Sequence, residues 1–216
     1  MPNKTNKAME QRSYSFEIRT EEQQDGTAII TGRPIVYDSV TDLGWFNEVI
    51  DRGALDGADL TDVRFLVNHD ISKIPLARSR RNNGNSTMQF RVDQYGLYLE
   101  WVKLDVENNA EASALYSAVQ RGDITGMSFM FSVESDMWEE LESDHPTRHI
   151  VKIGSVVEVS AVTFPAYDAT TIDARSKEAL ENARSAVETA RQQSAKPLDG
   201  GELDLAKART ETLLII

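Results

Sequence analysis

Short segments with strand-like periodicity recur along most of this chain, and turn-forming residues separate them. Residues 14–18 and 88–92 alternate between apolar and polar side chains, and residues 27–37 are rich in β-branched ones. Alternation with a period of two indicates a β-strand with one buried face. Turns such as Asp25-Gly26 join such strands into hairpins. The pattern predicts about eight strands, and therefore a mainly β protein with a compact, antiparallel, barrel-like domain.

Four further predicted strands lie in the middle of the chain, and the first of them ends in polar residues. Residues 63–67 form a buried-strand candidate that ends at Asn68-His69-Asp70. Residues 128–133, 149–153 and 156–164 are three further predicted strands. Proline cannot donate to a β-ladder, so the proline that follows residue 164 ends the last of them.

Two segments change from strand-like to helical periodicity. Ala112, Leu115 and Val119 fall on one face of the first, and Gly122 follows it as a C-terminal stop. The second, residues 176–195, carries a narrow apolar seam. This seam fits a coiled coil or docking helix, and it equally fits a surface helix packed on its own domain. We therefore predict one internal helix and a C-terminal helical extension.

Composition divides the chain into three parts. Residues 1–12 are almost entirely polar and are predicted to form a disordered N-terminal arm. Residues 13–175 carry the strand pattern and are predicted to form one domain. Residues 176–216 are predicted to form the helix, a linker marked by Lys196-Pro197 and Gly200-Gly201, and a tail.

Charge and residue usage exclude several classes of function. The chain has 35 acidic and 23 basic side chains and a formal net charge of -12. This balance argues against nonspecific binding of nucleic acid, which needs a basic face. There is no cysteine, so thiolate zinc sites and cysteine nucleophiles are excluded. No apolar run reaches the roughly 20 residues of a membrane span, and no motif predicts a metal or another cofactor.

Three polar side chains stand in or beside the predicted strands. Ser128 follows Gly126-Met127, His69 follows a buried strand, and Glu158 lies inside an apolar segment. An alcohol, an imidazole and a carboxylate are the groups that nucleophilic hydrolases combine. A carboxylate in a segment fit for burial also needs a partner, and His69 is a candidate.

Each of these positions also has a structural interpretation. Ser128 fits the solvent face of a strand, His69 fits a capped strand end, and Glu158 fits an edge strand where it faces water or pairs with an arginine. Asp70 competes with Glu158 as the group that orients the imidazole. The motif is not the G-x-S-x-G of α/β-hydrolases, because Met130 stands where the second glycine would be.

Several blocks of sequence resemble those of one family in order and spacing. The most specific are R-G-D-x-x-G-x-S-F at residues 121–129, N-H-D at 68–70 and E-V-S-x-V-x-x-P-A-Y at 158–167. Weaker blocks lie at residues 32–37, 45–55 and 93–98. Together they resemble the prohead proteases of tailed bacteriophages, which are distantly similar to the herpesvirus assemblins. Met130 and Leu55 depart from the family's pattern, but neither touches the implied chemistry.

The resemblance implies a function and a set of roles. It implies a serine endopeptidase in which Ser128 is the nucleophile, His69 the general base and Glu158 the third member. It further implies no cofactor and action inside the assembling prohead, in the host cytoplasm. The implied partners are the major capsid protein with its scaffolding region and the protease itself, through autoproteolysis and a possible homodimer. The alternative function is a non-catalytic capsid-assembly scaffold with a degenerate protease-like domain.

Overall fold

The computed structural model describes residues 9–14, 18–22, 27–164 and 169–194. These residues divide into two compact units, one ending at Lys177 and the other beginning at Glu178. The first unit contains every strand of the described chain and an internal helix. No helix in the described ranges is long and apolar enough to cross a membrane.

The strands and helices follow one another as β1 to β9, α1, β10, β11 and α2. Their bounds are β1 Met9–Tyr14, β2 Ile18–Glu22, β3 Ala28–Val36, β4 Thr41–Asp42, β5 Asn47–Ile50, β6 Asp62–Val67, β7 Ala77–Arg80, β8 Met88–Asp93, β9 Gly96–Leu104, α1 Ala110–Arg121, β10 Gly126–Glu139, β11 Thr147–Val162 and α2 Ala169–Ser194.

The strands form two sheets around one core. The larger sheet has the order β1-β10-β11-β5-β4, with β6 also paired to β11 and β7 paired to β6. The smaller sheet has the order β2-β3-β9-β8. Buried apolar residues of both sheets and of α1 belong to a single cluster. The predicted mainly β class is thus confirmed.

Closure into a barrel is the part of the fold prediction that is wrong. Within the described part of the chain, neither sheet closes on itself. The reason lies in β11, which is long enough to hold two strands on one edge. It pairs in parallel with β5 near its beginning and with β6 near its end. The sheet therefore branches at β11, and its outer strands remain edges.

Two local expectations also differ from the structure. The predicted strands 149–153 and 156–164 are one continuous strand, β11, and the irregularity takes the form of register shifts in its pairing with β10 between Met130 and Asp136. Residues 9–12 of the predicted arm lie in β1, which pairs with β10. The rest of the arm, residues 1–8, and the tail, residues 195–216, lie outside the described residues.

The internal helix α1 follows the predicted pattern closely. The Asn109 side chain accepts hydrogen bonds from the backbone N–H groups of Glu111 and Ala112, so it caps the N-terminus. Gly122 ends the helix with a φ of 80°, a left-handed conformation that glycine adopts without strain. α2 is helical as predicted, although it begins at Ala169 instead of near residue 176.

Candidate active site

Ser128 lies near the start of β10, where both faces of the strand are covered. Met127, Ser128 and Phe129 all have no exposed surface. Ser128 therefore does not face solvent, which rules out the structural interpretation of this position. The strand register pairs it with Ser160 of β11 on one side and with Ser13 of β1 on the other. Three hydroxyl side chains thus stand in a row across three neighbouring strands.

His69 lies in a tight turn that follows the end of β6. Asn68 and His69 have φ values of 49° and 58°, in the left-handed region that non-glycine residues rarely adopt. The Asn68 N–H donates to the carbonyl of Ala161 at 2.9 Å, and the His69 N–H donates to Oγ of Ser160 at 3.1 Å. Asn68 Oδ1 accepts from the N–H of Thr163 at 2.9 Å. These bonds fasten the turn to the end of β11.

Glu158 lies on β11 and is 2 % exposed. Its Oε1 contacts Nδ1 of His69. Its Oε2 accepts a hydrogen bond of 2.7 Å from Oγ of Ser160. Both oxygens of this buried carboxylate therefore have partners, which offsets the cost of removing it from water.

The three predicted side chains are joined in series. Nε2 of His69 lies 2.5 Å from Oγ of Ser128, and Nδ1 of the same ring faces Glu158. Asp70 does not contact the imidazole. It is directed at Ser72, and this hydrogen bond, with the nearby charge of Lys73, holds the pKa of Asp70 below its usual range. Of the two candidate carboxylates, Glu158 is the one beside His69.

Ser160 is a member of the site that sequence analysis did not assign. Its hydroxyl accepts from the backbone N–H of His69 and donates to the side chain of Glu158, so it holds two of the three residues. The sequence itself points to Ser160, because Glu158 and Ser160 are two residues apart in a segment predicted to be buried. Residues at that spacing share one face, so two polar groups there indicate a polar site instead of a solvated edge.

β1 contributes the second unexpected contact. Ser128 donates a hydrogen bond of 2.6 Å to the carbonyl oxygen of Arg12, and Ser13 donates one of 2.8 Å to Oγ of Ser128. A hydroxyl has one proton. While β1 is in place, the Arg12 carbonyl therefore competes with the His69 imidazole for the proton of Ser128.

A cluster of charged side chains lies beside this contact. Arg12 binds Glu48 and Glu10, and Arg148 binds both of these carboxylates and Asp136. Burial by itself raises the pKa of Glu10, but the hydrogen bond from Arg148 and the charges of both arginines outweigh it. The pKa of Glu10 therefore lies below its usual range.

The remaining histidines are engaged away from this site. Nδ1 of His149 lies 2.8 Å from Asp51, and Nε2 of His145 lies 3.2 Å from Asn47. Across the described ranges, no group of three or more histidine, aspartate or glutamate side chains is placed to hold a metal ion.

A hydroxyl, an imidazole and a carboxylate linked in this order form the arrangement used by serine hydrolases. Comparison with known families agrees with this class, because a model of the caudovirus prohead serine proteases matches residues 14–185. The chain belongs to this family. Neither a curated protein nor a solved structure matches it.

Proposed function

We propose that this chain is an endopeptidase that trims the scaffolding region of the major capsid protein, and cleaves itself, inside the prohead in the host cytoplasm. The observation that carries the proposal is the series of contacts from Ser128 through His69 to Glu158. Family membership supports a role in capsid maturation. The proposed substrates follow from the family resemblance and from the place where such a protease acts.

The proposed mechanism assigns one task to each side chain. Nε2 of His69 removes the proton of Ser128 as the serine oxygen bonds to the scissile carbonyl carbon. Glu158 orients the imidazole through Nδ1 and stabilises its positive charge. The same imidazole then gives the proton to the leaving amine, and the C–N bond breaks to leave an ester on Ser128. Water, deprotonated by His69, hydrolyses this ester and restores the serine.

One observation favours the alternative function, a non-catalytic assembly scaffold. Ser128 has no exposed surface, and a substrate cannot reach it while β1 stays on β10. In the scaffold alternative, the polar site only holds β1, β10 and β11 together. In the protease proposal, β1 leaves the site before or during substrate binding. The two proposals differ in whether Ser128 reacts.

Ser128→Ala is expected to abolish trimming when the chain is co-expressed with the major capsid protein of the same phage. Loss of the nucleophile should lower the cleavage rate by at least about 10³-fold, because the remaining site cannot form the acyl-enzyme. Trimming is measured on a denaturing gel and by the mass of the capsid protein.

Ser132→Ala is the matched control for this experiment. Ser132 is also a buried serine of β10, but it bonds Ser155 at 2.9 Å and takes no part in the series of contacts. The control should trim normally. Undiminished trimming by Ser128→Ala would reject the nucleophile assignment, and no trimming by the unaltered chain would favour the scaffold.

A further inference from the structure

β1 occupies the place that an extended peptide would take beside Ser128. It is the edge strand of the larger sheet and pairs antiparallel with β10 from Met9 opposite Ser132 to Tyr14 opposite Met127. Peptides often bind proteins by adding a strand to a sheet edge in this way. The Arg12 carbonyl is the one that accepts the hydrogen bond from Ser128. β1 therefore places the backbone around the Arg12–Ser13 bond at the candidate nucleophile.

The Arg12 side chain fills a buried acidic pocket. Its Nε and one terminal nitrogen lie 2.5 and 2.7 Å from the two oxygens of Glu48, a fork-to-fork pair. The Glu48 side chain has no exposed surface, and that of Arg12 is 7 % exposed. The guanidinium carbon also lies 5.7 Å from the centre of the Phe131 ring. The pocket thus offers charge, geometry and an aromatic face suited to arginine.

Removing β1 would take from Glu48 the cation that lies closest to it. Glu10 and Arg12 leave together, so Glu48 and Asp136 would share the single charge of Arg148. Nη1 of Arg148 lies 3.2 Å from Glu48, a longer contact than either of those made by Arg12. A buried carboxylate without sufficient positive charge is costly, so the emptied pocket would favour a cation.

Glu10 shows a second complementary contact on the same strand. Its two carboxylate oxygens lie 2.8 and 3.0 Å from the terminal nitrogens of Arg148. Glu10 and Arg12 are two residues apart, so both side chains leave the strand on the same face. The face of β1 that meets the pocket thus presents an acid and then an arginine.

We propose that the peptide substrate binds to β10 as an antiparallel strand in place of β1, and that Glu48 selects arginine as the residue whose carbonyl faces Ser128. Arg148 favours an acidic residue two positions earlier. The inference rests on the proposed function, in which the bond after that arginine is cleaved. Arginine is preferred over lysine because an ammonium group cannot bond both oxygens of Glu48 in the same fork.

The test measures binding of a fluorescent peptide with the sequence of residues 7–16 to the full-length chain carrying Ser128→Ala and Arg12→Ala. The first substitution prevents cleavage, and the second weakens the competing strand. A matched peptide contains citrulline, which has the shape of arginine without the charge. We expect the citrulline peptide to bind at least about 10-fold more weakly, because it leaves Glu48 with only the longer contact to Arg148. Adding Glu48→Gln should reduce this preference to about twofold or less.

Equal affinity for the two peptides would overturn the inference, as would failure of the arginine peptide to bind. A preference that persists in Glu48→Gln would equally overturn it. The peptide change leaves the protein untouched, so the comparison stands even if Glu48→Gln does not fold. Trimming of the capsid protein separates the two proposals. Trimming after uncharged residues would reject the inference alone, whereas a preference for arginine without any trimming would reject the proposed function alone.

Discussion

At the scale of single residues, the turn that places His69 has an unfavourable backbone conformation. Two consecutive non-glycine residues in the left-handed region, Asn68 and His69, each cost about 1 kcal/mol or more. Bonds to the end of β11 hold the turn, and Ser160 makes the one that reaches the His69 backbone. The same hydroxyl also holds Glu158. Ser160 therefore positions both His69 and Glu158.

Ser160→Ala is expected to slow the reaction of Ser128 by about 10-fold or more, because the backbone N–H of His69 and the carboxylate of Glu158 each lose a hydrogen-bond partner. The measurement is the rate at which a fluorophosphonate probe labels Ser128 in the full-length chain. Thermal unfolding should shift little by comparison. The buried Ser132→Ala variant serves as control and should be labelled at the normal rate. Unchanged labelling of Ser160→Ala would reject the positioning role.

Sequence analysis proposed three members of the candidate site but not their neighbours. Ser128, His69 and Glu158 each stood out because a polar residue interrupts or ends a strand-like segment. Ser13 did not, since a serine beside an N-terminal polar stretch is unremarkable. Its place opposite Ser128 depends on which strand pairs with β10 and in which register. Alternation with a period of two indicates which residues of a strand share a face, but it does not indicate which strand lies beside that strand.

At the scale of secondary-structure elements, the hairpin of β8 and β9 depends on one glycine. Gly96 has a φ of 130°, and a Cβ atom built there would lie 2.0 Å from the carbonyl oxygen of Ile35 in β3. β3 and β9 are paired at this point, with Val36 opposite Gly96. The turn therefore needs glycine for both its backbone conformation and the close approach of the next strand.

Gly96→Ala is expected to lower the free energy of unfolding by at least about 2 kcal/mol, because the methyl group forces β3 and β9 apart. Urea denaturation followed by circular dichroism measures the change. Gly84→Ala is the control, since a Cβ there meets nothing within 4 Å. Equal stability of the two variants would contradict the proposed close contact.

The elements themselves were largely predictable, and their long-range arrangement was not. The alternating segments, the capped helix α1 and the hairpin turn before Gly96 follow local rules of periodicity and capping. The parallel pairing of β11 with β5 and β6 joins segments about a hundred residues apart in the chain. No local pattern encodes that pairing, so an antiparallel barrel was predicted where a branched mixed sheet formed.

At the scale of the whole molecule, ion pairs between strands lower the pKa of some carboxyl groups of this acidic chain. Arg33 of β3 binds Asp93, at the end of β8, through two bonds of 2.7 and 2.8 Å. These hydrogen bonds, and a further one from the N–H of Tyr95, lower the pKa of Asp93 from 3.8 to about 2. The pair ties β3 to the β8–β9 hairpin, so its protonation state affects the stability of the smaller sheet.

Asp93→Asn is expected to lower the free energy of unfolding by about 1 kcal/mol near pH 6, the size of a well-formed and partly exposed ion pair. The pKa of Asp93 is lower in the folded state than in the unfolded chain. Its contribution is therefore fully present above pH 3.8 and is lost as the pH falls towards 2. The difference between the two proteins should shrink over that interval in urea titrations at pH 6, 4, 3 and 2.

Asp144→Asn, at an exposed position, is the control and should match the unaltered chain throughout. A difference that stays constant from pH 6 to 2 would show that Asp93 stabilises the fold through packing instead of charge.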